Sequence, residues 1–210
     1  MVDACTWPGP DGYSGPLRSG HQPSEPALPA VCGRSQVTAF EYFDQQDGSQ
    51  VPDTTALQAE IAKRFPPISK PVGAALSFHA EGCLHCDYLR RDLEPFDQPV
   101  LPEQAIYEII REMSCLSARG WRWMLPSYLL VCLEDPGGRL DNAIEFLIYN
   151  LAPLPEHEAE TRERLSALDP GQITCLVRFL EWCAAHEHWG TYCPDEIKRG
   201  LAFLPTITAP

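Results

Sequence analysis

Long apolar runs are missing from this 210-residue chain. No stretch approaches the roughly 18 uninterrupted apolar residues that a membrane span requires. The opening Met1-Val2-Asp3-Ala4-Cys5-Thr6-Trp7-Pro8 lacks both the basic and the apolar segments of an export signal. Basic residues are also scarce: 16 Lys and Arg stand against 29 Asp and Glu, a formal net charge of -13. Affinity for nucleic acid comes largely from neutralising phosphates with Lys and Arg, so no nucleic-acid partner is expected. An anionic membrane surface is disfavoured for the same reason, and no membrane partner is expected. Catalytic signatures are absent as well, with no glycine-rich phosphate loop, no Gly-x-Ser-x-Gly elbow and no His-Glu-x-x-His. No carboxylate pair sits in an apolar setting that would perturb its ionisation. These absences weigh against an enzyme.

Cysteine, by contrast, is plentiful, with nine in the chain. The number is odd, and Cys115, Cys132, Cys175 and Cys183 fall within apolar helical patterns. They are expected to be buried thiols, because free cysteine packs as a small hydrophobe. Structural disulfides are not expected, and a reducing, cytoplasmic setting is the simpler reading. Mean hydropathy of -0.21 fits a folded, water-soluble chain with one hydrophobic core.

Residues 1–35 hold Pro8, Pro10, Pro16, Pro23, Pro26 and Pro29 among glycines and serines, which marks an irregular or disordered leader. Residues 36–210 form the second unit, a single helical domain. Val37 to Phe43 is too short for periodicity to decide between strand and helix. Leu57, Ile61 and Phe65 predict a helix stopped by Pro66-Pro67, and residues 68–82 read as a loop with a short extended piece. Ile106, Ile109, Ile110 and Met113 form a core stripe at helical spacing. Trp121 to Leu133 is apolar nearly all round and predicts the central helix, with Pro126 starting it. Leu140 to Leu151 gives another helix. Glu156 to Leu168 is charged and should lie on the surface. Asp169-Pro170-Gly171-Gln172 is a near capping box opening a long helix through about residue 188, broken by Gly190, and Pro194 opens the last. The fold class is therefore all-α, an irregular bundle of about seven helices.

The chemistry-bearing motif is Cys83-Leu84-His85-Cys86. Its spacing suits half of a zinc site, or a dithiol redox pair at a helix start where the dipole favours thiolate. Zinc needs further ligands. His79 and His85 are the local candidates, and His186 and Cys193 are those that the fold would have to deliver. The metal set taken forward is Cys83, Cys86, His186 and Cys193, with zinc as the implied ion. The redox reading lacks the βαβ context it wants. Trp121 and Trp123 are candidates for a partner-binding surface, although a helical core accounts for such aromatics more simply.

Cys83-x-x-Cys86-Asp87-x-Leu89-Arg90, Leu125-Pro126-Ser127-Tyr128-Leu129-Leu130, and Leu168-x-x-x-Gln172 with Phe179-Leu180 together resemble an uncharacterised family of small bacterial helical domains, over roughly residues 54–188. The resemblance implies an all-helical fold in a bacterial cytosol and carries over no functional residue. Two functions are expected. The first is a non-enzymatic inhibitor or immunity-type protein that binds a basic partner such as a bacterial toxin, steered by its charge and engaged through Glu156, Glu158, Glu160 and Glu163 with Trp121 and Trp123. The second is a zinc-binding helical protein using Cys83 and Cys86.

Overall fold

The computed structural model describes residues 53–134 and 141–207. The expected leader, the 37–43 segment and the Pro136-Gly137-Gly138 break lie outside them. Nine α-helices occur among the described residues: α1 Thr54–Arg64, α2 Leu84–Asp92, α3 Glu103–Glu112, α4 Ala118–Glu134, α5 Asp141–Leu151, α6 Glu158–Leu165, α7 Pro170–Ala185, α8 Glu187–Tyr192 and α9 Pro194–Phe203. No strand is present among them, and the fold is all-α.

Local chemistry explains the ends of these helices. The Asp169 side chain accepts from the Gln172 amide at 2.9 Å while the Gln172 side chain accepts from the Asp169 amide at 3.1 Å. With Pro170 at the first helical position, that completes the expected capping box. The Gln172 amide group then donates to the Arg64 carbonyl at 2.9 Å, so the cap of α7 also holds the end of α1. α7 turns Ile173, Leu176, Phe179, Leu180 and Cys183 inward and packs against α1, α8 and α9. It ends at Ala185, earlier than expected, because His186 leaves the helical region at ψ 127. Gly190 lies inside α8, with the Ala184 carbonyl where a Cβ would stand.

The second organising helix is α4, which packs against α1, α3, α5 and α6. It begins at Ala118, eight residues before the expected start, and Pro126 lies inside it. Proline there forgoes its own bond to the Arg122 carbonyl, and its ring crowds that carbonyl. Burial of Trp121, Trp123, Leu125, Tyr128 and Leu129 outweighs that loss, at about 1.5–3 kcal/mol for each large side chain removed from water. Trp121 and Trp123 are 1% and 0% exposed. Their assignment to a partner-binding surface is therefore corrected: both indoles are core, pointed inward by the helical period. The Tyr128 hydroxyl donates to the Ala143 carbonyl at 2.9 Å, joining α4 to α5.

The charged helix α6 also departs from expectation. Thr161, Arg164 and Leu165 are buried, while Ala159 is exposed. Arg162 and Arg164 reach back four residues to Glu158 and Glu160, at 3.5 and 3.3 Å. Their guanidinium groups lie over the rings of Phe203 and Phe78, 4.9 and 5.2 Å from the centroids. Two of the four glutamates nominated for partner binding are thus engaged within the protein.

Candidate metal centre

The segment 66–83 crosses from α1 to α2 without regular structure, yet its last third is firmly held. A 3-10 turn, Gly73–Ala75, leads into a single antiparallel bridge between Ser77 and Leu116. The Phe78 amide donates to the Cys115 carbonyl at 2.6 Å, and the Ser117 amide to the Leu76 carbonyl at 3.0 Å. The expected short extended piece is this bridge. It can approach α4 only because residue 120 is glycine, where a Cβ would stand 2.5 Å from the Leu76 carbonyl. Gly82 then adopts φ 78, a left-handed turn that L side chains rarely take, and delivers the chain into α2 with Cys83 at its N-cap.

That turn folds His79 back over the start of the helix. Ligand atoms of His79, Cys83 and Cys86 all lie within 4.8 Å of one another. The His79 Nδ1 to Cys86 Sγ separation is 3.8 Å. A tetrahedral zinc ion with ordinary Zn–S and Zn–N lengths sets such ligand atoms about 3.6 Å apart, so this edge is close to what a metal needs. Cys83 is 6% exposed, Cys86 is 0% exposed and His79 is half-buried. The donor set, two soft thiols and an imidazole, is the chemistry that selects zinc over calcium or magnesium.

Supporting contacts orient the imidazole-bearing residue. Arg90, one turn beyond Cys86 on α2, donates to the His79 carbonyl at 2.9 Å and also reaches the Ser77 hydroxyl and the Asp87 carboxylate. The Ser77 hydroxyl donates to the same His79 carbonyl at 2.9 Å. His85 takes a different course: its Nδ1 lies 3.0 Å from Glu112 at the end of α3.

The ligands proposed from afar do not arrive. His186 packs against Trp182, with ring centroids 5.4 Å apart, and Cys193 is buried beside Tyr149 and Glu196, between α8 and α9. Neither joins the His79, Cys83 and Cys86 group. The local candidate His79 takes the place assigned to them. The redox reading also meets an obstacle, because burial pushes the Cys86 thiol above its ordinary range and disfavours the thiolate that exchange chemistry needs.

The fold and this cluster together define a helical domain with a His-Cys-Cys group at one end of its α2–α3 pair. Residues 92–192 match a family described as "Family of unknown function (DUF6714)", 101 of the chain's 210 residues. That stretch runs from the end of α2 to the end of α8, and the match is consistent with the resemblance read from the sequence. His79, Cys83 and Cys86 precede the matched segment, so the cluster is a feature of this chain rather than of the match. No curated protein and no solved structure matches the chain.

No helix among the described residues is long and apolar enough to cross a membrane. All seven cysteines among the described residues are buried, including the four expected to be so.

Proposed function

We propose that this protein is a zinc-binding helical domain whose centre uses His79, Cys83 and Cys86. The observation that carries the reading is the convergence of those three donors from a left-handed turn, a helix cap and a first helical turn. Bound zinc would hold both thiols as thiolates and repay their burial, since a coordinating metal inverts the local ionisation preference. It would also fasten the irregular segment 66–83 to α2. Buried thiols favour a reducing, cytoplasmic setting for such a site. Untagged protein purified without chelator should carry about one equivalent of zinc by elemental analysis. Less than about a tenth of an equivalent, even after refolding with zinc, would remove the proposal.

Recognition of a basic macromolecule, such as a toxin that this chain would inhibit, is the second reading, favoured by the net charge of -13. Around α6 it falls mainly to the exposed Glu156, in the 3-10 turn before the helix, and Glu163 within it, since Glu158 and Glu160 are paired with arginines. Reversing the charge of Glu156 and Glu163 should slow association with the captured partner and flatten its salt dependence in surface plasmon resonance. An unaltered association rate would exclude this helix.

A further inference from the structure

Three protein donors leave a tetrahedral ion one position short. A structural zinc site closes that position with a fourth side chain, whereas a catalytic one keeps it for water or substrate. The surroundings of the cluster hold two residues able to fill it, Cys115 and Glu112.

Cys115 is 0% exposed and sits in the short 3-10 turn Met113–Cys115 that follows α3. Its backbone is tied to the cluster from two sides. Its carbonyl accepts from the Phe78 amide, next to His79, and lies 3.9 Å from the Cys86 sulfur. Its own thiol lies 3.8 Å from a Glu112 carboxylate oxygen and stands outside the three donors whose ligand atoms lie within 4.8 Å of one another, so it must turn inward to reach a metal that they hold. Glu112 has other work, its carboxylate facing His85 Nδ1 at 3.0 and 3.1 Å. A third soft sulfur is the donor that matches the two already present.

We infer that Cys115 is the fourth ligand, which makes the centre a closed Cys3His site and assigns it a structural role. The inference rests on the zinc reading above and deepens it. On coordination the Cys115 thiol gives its proton to solvent and exchanges a weak S–H···O contact for a thiolate bond to the metal, and Glu112 keeps its contact with His85. Three donors lie within eight residues of chain, from His79 to Cys86, while Cys115 stands 29 residues beyond Cys86. The metal then closes a loop around the whole α2–α3 pair and fastens it to the bridge that precedes α4. Closing a loop of that length restricts the unfolded chain modestly more than the local donors can, since the effect grows only slowly with loop length, and it suits a domain with a long irregular segment at this place.

X-ray absorption at the zinc edge, on the full unmutated chain, counts the ligands directly. Three sulfurs at about 2.3 Å and one nitrogen at about 2.0–2.1 Å are expected. Two sulfurs with two lighter atoms would overturn the fourth ligand while leaving the three-donor site in place. A chain that retains no metal would overturn both. Cobalt substitution supplies a second readout: Cys115→Ser should still bind one cobalt and lose about a third of the sulfur-to-metal charge-transfer absorption, one thiolate of three. An undiminished band in that variant would contradict the assignment, and the absorption-edge result stands whether or not the variant folds.

Discussion

Two regions of this protein bury cysteines, and they use them differently. Around α2 and the 76–79 segment, Cys83, Cys86 and Cys115 gather with His79, His85 and Glu112, so each sulfur faces polar donors or another sulfur. In the half built on α4, α7 and α9, Cys132, Cys175, Cys183 and Cys193 share the same hydrophobic core, but among the described residues none of them joins a group of three metal-ligating side chains. Burial pushes the Cys132 and Cys183 thiols well up, and those of Cys175 and Cys193 to about 12 and about 11. The same side chain is a metal donor candidate in one setting and a small hydrophobe in the other. What separates them is convergence: donor atoms gathered with an imidazole mark a site, and burial without such a gathering marks packing.

The comparison can be probed by changes that strike both regions, the first alone, or the second alone. The largest effect belongs to their common support, α4. Trp123 is 0% exposed, its indole N–H reaches the Gln98 carbonyl at 3.4 Å, and the Lys70 ammonium lies 6.0 Å from its ring centroid. Trp123→Ala should destabilise the fold by about 3–5 kcal/mol in denaturant unfolding. A loss under about 0.5 kcal/mol would mean that the indole is a surface group after all.

Next comes a change confined to the first region. Arg90 touches no metal donor atom but fixes the carbonyl of His79, so Arg90→Ala should weaken zinc affinity by about 10–100-fold in a chelator competition. Arg90→Lys should recover only part of it, because an ammonium cannot reproduce the planar fork that meets Ser77, His79 and Asp87 together. Equal affinity in wild type and Arg90→Ala would show that the carbonyl contact does not orient the imidazole.

The smallest effect isolates the second region and depends on pH. The ordinary thiol value is 9.0, and the folded values of Cys132, Cys175, Cys183 and Cys193 lie above it. Raised folded values contribute stability that is fully present below about pH 9, where both states are protonated. It is lost as pH rises, because the unfolded chain releases its protons first. Stability should therefore fall from about pH 9 upward, each thiol adding up to about 1.4 kcal/mol per pH unit to the slope. Cys132→Ala should lower stability at neutral pH and flatten the alkaline decline by one thiol's share. An alkaline slope identical to that of wild type would place Cys132 in contact with water.

Much of this architecture was readable from local pattern. The Asp169 to Gln172 capping box and the Ile106, Ile109, Ile110 stripe depend on neighbours within a turn, and both are realised. The pairing inside α6 was equally local, since Glu158 and Arg162, like Glu160 and Arg164, stand four apart, although a count of acids alone passes over it. The metal donors were only half readable. Cys83 and Cys86 announce themselves by spacing, but the choice between His79 and the distant His186 and Cys193 depends on the φ of Gly82 and on a bridge to Leu116, 39 residues along from Ser77. Pro126 misled for a different reason. Proline at a helix start and proline inside a buried helix look alike in sequence, and only the packing of Trp121 and Trp123 ahead of it decides.

The account turns on cysteines that differ by their surroundings, and a paired metal measurement tests that most directly. Wild type, Cys86→Ser and Cys183→Ser would be purified side by side and assayed for bound zinc per chain. The account predicts about one equivalent in wild type and Cys183→Ser, and under about a tenth in Cys86→Ser. Equal zinc in Cys86→Ser and wild type, or none in any of the three, would contradict it.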